Sequence, residues 1–563
     1  MDAKISALIR KYALQNAVKF GGKANSKSIL GMIIKEFPDS KGDIQKLMKE
    51  IDSVVEKVNS LGKERQLKEL SETAPEMLEK KEKEERNIFS SLRIPEGTKI
   101  KTAYPPGPEK YPHIGHAKAI LLNYMLARQY NGSFLFRFED TNPKLVKKEF
   151  YDIMLENFKW LGIEWDELQY ASDFMELFYE LAKKLIKEGQ AYVCFCSSEK
   201  QRELRNKCEE CEHRTQTPEQ NLEFWKKMDT YKEGDASLRL KIDIAHENQT
   251  FRDPTIFRII DQEHARQGKK YRIYPNYDFQ NAVMDGYFSI THRIRGKEFE
   301  LRAPLQRYIQ KILGLTITQT TEFGRFNLEG VLASAGRVIR EKVNSGELVG
   351  WDDPSLTTLV ALRRRGFTPK AIKDFVLSTG ISKADSTTTW DDLIMHNKRV
   401  LDKEAKRFFF IEEPVAVEVK NAPSKAVHLN HNPDEKKGER EFRTDDSFLL
   451  GKKDVEGFSK EGLVRLMDCI NFRKEKNSFV FDSEDYLDYK DFKGEKSIIH
   501  WLAKDMDNVD VDVMMPDKRI INGLAEPGIK VLKEGEIIQF ERFGFCRLDK
   551  KEKDKFVFWF THK

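Results

Sequence analysis

The sequence has few cysteines and no long apolar stretch, and each absence narrows the class of protein. Six cysteines among 563 residues are too few for a disulfide framework. No run of about 18 apolar residues is present, which excludes a membrane-spanning helix. The N-terminal MDAKISALIRKYALQ lacks the basic, apolar and small-residue succession of a secretion signal. We therefore expect a cytoplasmic protein with no membrane partner.

A large excess of charge of one sign is also missing. The 97 Lys and Arg residues and 92 Asp and Glu residues give a formal net charge of +5 and an isoelectric point near 8.5. This mildly basic balance suits a polyanionic partner but does not establish one. A hydrophobic fraction of 39% and a charged fraction of 34% are typical of a globular protein, and the length predicts several domains.

The residue patterns change along the chain, which predicts a multidomain architecture. Apolar residues at helical spacing near the N-terminus predict a helical appendage, which ends in the charged run EKKEKEER, a solvated helix or linker. From residue 97 a strand, a Pro- and Gly-containing loop, a helix and a second strand predict a βαβ unit of a Rossmann-like α/β domain. Short alternating segments predict all-β barrels in the tail. The predicted domains are 1–95, the helical appendage; 96–330, the α/β domain with a polar, helix-rich insertion at about 194–255; 331–405, a helical connector; and 406–563, the β-barrels.

Two histidines lie where the first predicted strand meets its helix, in YPHIGHAKAI. A nucleotide phosphate is attracted to a helix N-terminus by unpaired amides and by the helix dipole, and Gly115 lets the backbone come close. His113 and His116 could then donate hydrogen bonds to phosphate oxygens and stabilise the charge that develops during phosphoryl transfer. In the alternative interpretation the two histidines only cap the helix.

The HIGH tetrapeptide resembles the signature of class I aminoacyl-tRNA synthetases. Four longer stretches resemble, in order and spacing, the archaeal-type glutamyl-tRNA synthetases and the related glutaminyl-tRNA synthetases: PPGPEKYPHIGHAKAILLNYMLARQYNGSFLFRFEDTNP, WLGIEWDE, YDFQNAVMDGYFSITHRIRGKE and GWDDPSLTTLVALRRRGF. The resemblance covers about residues 1–410 and includes IRKYALQNAVKFGGKA. It implies that glutamate and ATP, with Mg²⁺, form glutamyl-adenylate, and that the glutamyl group then passes to the 3′ end of tRNA-Glu. It also implies that the insertion binds the acceptor end and the barrels bind the anticodon.

The resemblance assigns roles to residues of the amino-acid pocket. Arg295 matches the arginine that contacts the substrate side chain in glutamate enzymes, and Glu139 matches the carboxylate that binds the substrate ammonium. Tyr277 and Asn281 match residues that line the same pocket. Because a γ-carboxylate needs a fixed cation, Arg295 favours glutamate over glutamine.

Each of these residues also has a structural interpretation. Arg295 could pair with Glu298, Glu139 could be a structural partner of Arg137, and Tyr277 could belong to the core. The sequence alone does not decide between the two sets of roles.

Two positions depart from the pattern of the family. An arginine that reads the substrate carboxylate normally precedes the aromatic residue matching Tyr104, but this chain has Ala103 there, and losing a charged hydrogen-bond partner typically costs about 1.5 to 3 kcal/mol. The KMSKS-like loop should supply a lysine to the pyrophosphate, but GVLASAGRVIREKV has Gly336 or Val338 at that place. Arg337 lies between them and could replace the lysine, so we assign it to catalysis and ATP binding with His113, Gly115 and His116.

Four of the six cysteines fall between residues 194 and 211, and a histidine follows them. Zn²⁺ needs four ligands in a tetrahedron, and a CxC pair followed by a CxxCxH segment offers five candidates. The candidate ligands are Cys194, Cys196, Cys208, Cys211 and His213. Cys211 and His213 compete with Cys208 for the last places, and the alternative is a set of thiols without a metal. All positions of such a zinc would be filled, so it would be structural.

Contacts with tRNA are marked less sharply. Arg363, Arg364 and Arg365 form a compact cationic run that could bind backbone phosphates, and the alternative is an exposed arginine run without function. Two rival functions stay open: a glutaminyl-tRNA synthetase, which Arg295 disfavours and Ala103 favours, and a degenerate paralogue that binds tRNA without charging it. The sequence also leaves open whether tRNA-Gln is charged. We expect a monomer.

Overall fold

The structure is a computed structural model that describes residues 3–37, 44–77, 87–330, 336–432, 438–476, 478–553 and 555–563. It divides into two compact units, Met1–Asn87 and Ile88–Lys563. The predicted charged linker at 79–86 lies outside the described residues. Among the described helices, none is both long and apolar enough to cross a membrane.

The N-terminal unit is helical, as the apolar spacing predicts. Its helices are α1 (Ala3–Lys19), α2 (Ser26–Glu36), α3 (Ile44–Asn59) and α4 (Lys63–Thr73). Ile9, Ala13 and Ala17 are four residues apart and therefore share one face of α1, which is buried. Ile51 of α3 and Leu70 of α4 belong to the same core.

The second unit begins with an α/β region. In chain order its elements are β1 (Lys101–Tyr104), α5 (Ile114–Gln129), β2 (Ser133–Phe138), α6 (Glu149–Trp160), β3 (Glu167–Tyr170), α7 (Met175–Lys187), β4 (Ala191–Cys194), α8 (Ser198–Lys207), α9 (Pro218–Lys226), β5 (Ser237–Leu240), β6 (Thr255–Ile259), β7 (Ile273–Pro275), α10 (Tyr277–Tyr287), β8 (His292–Gly296), α11 (Ala303–Leu313), β9 (Gln319–Phe323) and β10 (Phe326–Leu328).

The remaining elements form a helical connector followed by short strands. They are α12 (Gly336–Asn344), α13 (Leu359–Arg365), α14 (Pro369–Thr379), β11 (Ser386–Thr388), α15 (Trp390–Glu404), β12 (Lys406–Phe408), β13 (Phe410–Glu412), β14 (Pro414–Lys420), β15 (Lys425–Asn430), β16 (Glu439–Thr444), β17 (Ser447–Gly451), α16 (Lys452–Glu456), β18 (Leu463–Leu466), β19 (Asn471–Glu475), β20 (Ser478–Ser483), α17 (Tyr486–Asp491), β21 (Lys496–Ile499), β22 (Leu502–Ala503), β23 (Val509–Met514), β24 (Ile520–Ala525), β25 (Ile537–Phe540), β26 (Gly544–Lys551) and β27 (Lys555–His562).

A parallel sheet forms the centre of the α/β region. Its strand order is β3-β2-β1-β8-β9, and every neighbouring pair is parallel. The chain leaves β1 toward β2 on one side and reaches β8 on the other side of β1, so the strand order switches direction there. A ligand binds at such a switch point, outside the carboxyl ends of the strands. The predicted Rossmann-like βαβ unit is therefore confirmed.

The insertion contains a sheet that the sequence did not reveal. Strands β4 to β7 pair in order and antiparallel, and they enclose the predicted helical segment. Each strand has three to five residues, which is too short for hydrophobic alternation to stand out. The boundaries of the predicted domains stay predictions.

The tail forms two closed sheets, as predicted. The first has the order β12-β25-β26-β27-β23-β24-β13, and its two edge strands are separated by one residue, Phe409. The second has the order β21-β18-β19-β20-β14-β17-β22, and its edge strands are separated by His500 and Trp501. Because so few residues join the two edges, each sheet must curl until its edges meet, which makes a barrel.

The segment that joins β12 to β13 contributes to both barrels. Phe408 and Phe410 belong to the core around β23 to β27, whereas Phe409 and Ile411 belong to the core around β14 to β22. All four are almost fully buried. Successive residues of an extended chain point in opposite directions, so this one segment supplies the two cores alternately.

Candidate active site

A cavity of about 740 Å³ opens at the carboxyl ends of strands β1, β2 and β8. Tyr104 ends β1 and lines it, and the loop after β2 and the start of α5 complete the wall. The predicted site residues in its lining are His113, Gly115, His116, Glu139, Tyr277 and Arg295. The fold thus brings together residues that are distant in sequence, at the switch point of the sheet.

Both histidines cap helix α5 through their Nδ1 atoms. Nδ1 of His113 accepts a hydrogen bond from the backbone N–H of Gly115 at 3.0 Å. Nδ1 of His116 accepts one from the backbone N–H of His113 at 3.2 Å, and the ring centroids are 4.0 Å apart. The capping interpretation thus describes the Nδ1 atoms, and it leaves the Nε2 atoms for a ligand.

The two imidazoles are neutral. Burial, together with the nearby Lys110 ammonium, lowers the pKa of His113 to about 3. Burial also holds the pKa of His116 well below its usual value, with smaller effects from His113 and Lys110. A neutral imidazole carries one proton, and because each Nδ1 accepts, the proton lies on Nε2. Each ring can therefore donate Nε2–H to a phosphate oxygen.

Glycine is required between the two histidines. A Cβ atom on Gly115 would lie 2.8 Å from Cε1 and 3.0 Å from Nδ1 of His113. The first distance is shorter than real Cβ contacts, so any side chain would push the His113 ring off the amide that it caps.

Glu139 is held by a buried ion pair and keeps one oxygen unused. Its Oε1 accepts from Nη2 of Arg137 at 2.9 Å, and Nη1 of Arg137 donates to Asp285 at 2.8 Å. Its Oε2 is buried without a hydrogen-bond partner among the described residues. Burial raises the pKa of Glu139, and Arg137 opposes that rise. The structural role and the predicted ammonium-binding role therefore use different oxygens of one carboxylate.

Asn281 does not line the cavity. It is fully buried, its Nδ2 donates to Oε1 of Glu139 at 2.6 Å, and its Oδ1 accepts from Arg293 at 3.3 Å. Asn281 thus lies directly behind the wall and positions two residues that line it, and its role in the substrate pocket stays a prediction. Tyr277 lines the cavity, with its ring 5.5 Å from that of Phe299.

Arg295 presents unused donors to the cavity. Its side chain is buried, and Nη1 donates to Gln306 at 2.8 Å. Nε and Nη2 are buried and have no hydrogen-bond partner in the part of the chain that the structure describes. Glu298, the alternative partner, instead lies 3.9 Å from Arg325. Burial lowers the pKa of Arg295. A buried guanidinium with free donors is costly unless an anion binds to it, which favours a carboxylate ligand.

The cavity wall also holds four cations that were not predicted from the sequence, Lys110, Arg258, Arg293 and Arg325, and two of them lie next to predicted site residues. Lys110 lies in the loop PPGPEKYPH just before the helix, and its signal was a lysine next to the signature motif. No carboxylate in the described ranges lies within 4.0 Å of its ammonium. Its Cδ would lie 3.3 Å from a Cβ atom on Gly336. Arg293 was signalled by HRIRG, which places it two residues before Arg295 on the same strand.

The loop that should carry the KMSKS lysine is described only in part. Residues 331–335 lie outside the described residues, and helix α12 begins at Gly336. Arg337 belongs to α12, but its side chain also lies outside the described residues, so its catalytic role stays a prediction. Lys342, further along α12, forms an ion pair with Glu347.

Four of the five predicted metal ligands converge. Cys194, Cys196, Cys211 and His213 place their ligand atoms within 4.8 Å of one another. The Sγ atoms of Cys194 and Cys211 are 3.8 Å apart, and Sγ of Cys196 is 3.6 Å from Nδ1 of His213. Tetrahedral Zn²⁺ with Zn–S bonds of about 2.3 Å requires S···S distances of about 3.8 Å, so the group fits this ion. Cys208 is exposed at the end of α8 and lies outside the group.

The three consecutive arginines do not form one open cationic surface. Arg365 is buried, Arg364 is bound between two aspartates, and Arg363 pairs with Glu156 at 2.8 Å on the surface. The partners of Arg364 and Arg365 are Asp352, Asp549 and the main-chain carbonyls of Pro354 and Thr561. Two of these guanidinium groups attach the connector to β26 and β27, and Arg363 is the most exposed to solvent of the three. A tRNA contact of this run stays a prediction.

Models of known protein families match most of the chain. The family described as tRNA synthetases class I (E and Q), catalytic domain, matches residues 99–403. Two anti-codon binding domains of the same class match residues 405–496 and 498–549. Among solved structures, a glutamate tRNA ligase from Elizabethkingia meningosepticum has a TM-score of 0.40 and 15% identity over 54% of this chain and 70% of that one.

Full-length relatives agree with the domain matches. The glutamate–tRNA ligase of Pyrococcus abyssi is 40% identical over 100% of both chains, and that of Pyrococcus furiosus is 38% identical over 100% of both. The glutamate–tRNA ligase of Methanocaldococcus jannaschii is 38% identical over 98% of this chain and 99% of that one. With its parallel sheet, its HIGH helix and its two barrels, this chain belongs to the class I tRNA synthetases of the E and Q group.

Proposed function

We propose that this chain is a glutamate–tRNA ligase, which activates L-glutamate with ATP and transfers it to the 3′ end of tRNA-Glu. One observation carries the proposal. A single cavity contains a buried guanidinium with free donors at Arg295, an unpaired carboxylate oxygen at Glu139, and two neutral N–H donors at the start of helix α5. These groups match the side-chain carboxylate, the ammonium and the phosphates of the two substrates. The full-length relatives, whose names state this activity, support it.

Activation joins the α-carboxylate of glutamate to ATP. A carboxylate oxygen bonds to the α-phosphorus while the bond to the pyrophosphate oxygen breaks. Negative charge grows on the phosphoryl oxygens and on the leaving pyrophosphate, where Nε2–H of His113 and of His116 donate hydrogen bonds. Neither imidazole has to gain or lose a proton. The protein contributes orientation and charge stabilisation, and no covalent enzyme intermediate forms. Mg²⁺ would arrive with ATP and offset further phosphate charge.

The pyrophosphate end of the cavity needs a cation as well. Lys110 lines the cavity beside His113, and its ammonium has no ion-pair partner among the described residues. It packs against Gly336, at the place where the family carries its loop lysine. Lys110 therefore supplies this charge in our proposal, alone or with Arg337.

Transfer to tRNA follows activation. A ribose hydroxyl of the 3′-terminal adenosine attacks the carbonyl carbon of glutamyl-adenylate, and AMP leaves. The insertion with its antiparallel sheet approaches the acceptor end, and the two barrels bind the anticodon region. We further propose that the enzyme acts as a monomer in the cytoplasm.

A structural zinc would hold the insertion together. Cys194, Cys196, Cys211 and His213 would fill all four positions of the ion, which leaves none for a water or substrate. Nη1 of Arg239 lies 3.8 Å from Sγ of Cys194 and 3.7 Å from Sγ of Cys211, where it offsets thiolate charge. The zinc would tie β4 to the segment after α8.

The proposal is tested by charging full-length protein with labelled glutamate, ATP, Mg²⁺ and tRNA. We expect ATP-dependent, acid-precipitable label, and ATP–pyrophosphate exchange that requires glutamate. Labelled glutamine in the same assay addresses the rival ligase, and charging of glutamine in preference to glutamate would replace the proposal by that rival. Tight tRNA binding without exchange for either amino acid would indicate the degenerate paralogue.

A further inference from the structure

Arg293 shares a strand face with Arg295. Side chains two residues apart on a strand lie on the same face, and both arginines line the cavity. Each is about 4% exposed. The cavity therefore contains two buried guanidinium groups from β8, of which only Arg295 has been assigned to the substrate so far.

The neighbouring strand has an alanine beside Arg293. Strands β1 and β8 are parallel with Thr102 opposite His292, so Ala103 is the lateral neighbour of Arg293. Ala103 is buried against Leu135 and Ile290 and does not line the cavity. The cation that the sequence leads one to expect at Ala103 is therefore present one strand away.

The two carboxylates beside Arg293 are shared between cations. Arg137 pairs with Glu139 and Asp285, and Arg293 pairs with the same Asp285, so Asp285 is not dedicated to either guanidinium. Arg295 lies two residues further along β8, opposite the buried Glu322 of β9, and no carboxylate is within ion-pair distance of its guanidinium among the described residues. Buried guanidinium groups with shared or distant carboxylates favour an added anion.

The hydrogen bonds of Arg293 leave donors unused. Its Nη1 makes the contacts to Asp285 and Asn281. Its Nε is buried without a hydrogen-bond partner among the described residues, as are Nε and Nη2 of Arg295. Both ends of the arginine pair thus retain N–H groups for a carboxylate.

We propose that Arg293 is a specificity-determining residue, which acts with Arg295 as the second cation that binds the side-chain carboxylate of glutamate. The inference rests on the proposed function and adds to it a second cation for the acidic side chain. Asn281 and Asp285 hold Arg293 in place. Because Asp285 also pairs with Arg137, it neutralises only part of the charge of Arg293, and the rest is available to the substrate. Glutamine, which lacks the negative charge, gains less from the pair.

The test compares Arg293→Gln and Arg293→Lys with the unmodified enzyme. Gln keeps polar contacts to Asp285 but removes the charge, whereas Lys keeps the charge. We expect Arg293→Gln to raise KM for glutamate about 10- to 100-fold in tRNA-dependent pyrophosphate exchange, with KM for ATP nearly unchanged. Arg293→Lys should recover part of the loss. The ratio of glutamate to glutamine activation should fall in the Gln variant.

A double variant tests the position of the charge. Ala103→Arg combined with Arg293→Val moves the guanidinium to the adjacent strand, and it should restore glutamate KM relative to Arg293→Val alone. Arg128→Gln is the matched control, because Arg128 pairs with Asp166 at the far end of α5, away from the cavity. Its KM values should stay unchanged.

Three results separate the possible failures. An unmodified enzyme that activates no glutamate would overturn the proposed function itself. Normal glutamate KM in Arg293→Gln, with the enzyme active, would overturn only the role of Arg293. An equal loss for glutamate and ATP that Arg293→Lys and the double variant do not repair would show that Arg293 only supports the fold, which also overturns the proposal.

Discussion

Nδ1 of His116 accepts the backbone N–H of His113, and this contact decides which ring nitrogen carries the proton. We expect His116→Ala to lower pyrophosphate exchange by about 100-fold or more, because a preorganised donor to the transition state is lost. tRNA affinity, measured by filter binding, should stay unchanged. His396→Ala on the connector helix α15 serves as the control. Full exchange activity in His116→Ala would remove this residue from the mechanism.

The depressed pKa of His113 gives a pH prediction. In the folded protein the ring stays neutral down to about pH 3, whereas an unfolded chain binds this proton near pH 6.5. The contribution of His113 to the free energy of unfolding is therefore complete above about pH 6.5 and declines as the pH falls below it. NMR of labelled histidines, assigned with His113→Asn, should show no titration of His113 between pH 5 and 8. A midpoint near 6.5 would contradict a neutral pair.

Lys110 should supply the positive charge at the pyrophosphate that the KMSKS lysine supplies in other members of the family. Lys110→Met is expected to reduce kcat for pyrophosphate exchange by about 10- to 100-fold, since an unpaired cation near the leaving group is removed. Lys187→Met, at the exposed end of α7, is the matched control. Arg337→Met measured in parallel divides the role between the two positions: an inactive Arg337→Met beside a fully active Lys110→Met would assign the charge to Arg337 alone.

The zinc site can be tested by comparing two cysteines of the same segment, one inside the converging group and one outside it. Elemental analysis should find about one zinc per chain, and Cys211→Ser should lose it, because Cys211 belongs to the converging group. Cys208→Ser should keep it, since Cys208 is exposed. Retention of zinc by Cys211→Ser together with loss from Cys208→Ser would reverse the assignment.

Arg365 should matter for stability and Arg363 for tRNA. Arg365→Ala leaves two main-chain carbonyls without their donor, so we expect the melting temperature to fall by a few degrees. Arg363→Ala removes a surface ion pair and should melt at the same temperature as the unmodified protein. It should bind tRNA more weakly in affinity measurements at low salt. Equal melting temperatures for the two variants would contradict the distinction.

Some of this architecture could be predicted because it depends on local signals. Apolar spacing in α1, the turn before α5 and the alternation in β14 are properties of short segments, and the structure has them as expected. The roles of Arg364 and Arg365 could not be predicted, because their partners lie in other elements, some of them almost 200 residues later. Arg293 escaped notice for the same reason: its meaning depends on Ala103 in the adjacent strand.

The segment from Phe408 to Ile411 has a consequence for evolution and folding. Since alternate residues serve different barrels, insertion or deletion of one residue at Phe409 would reverse the facing of the residues on one side of it, and their side chains would enter the wrong barrel interior. The length of this segment is therefore constrained by both barrels together. We expect the two barrels to unfold in one cooperative transition rather than in two successive ones.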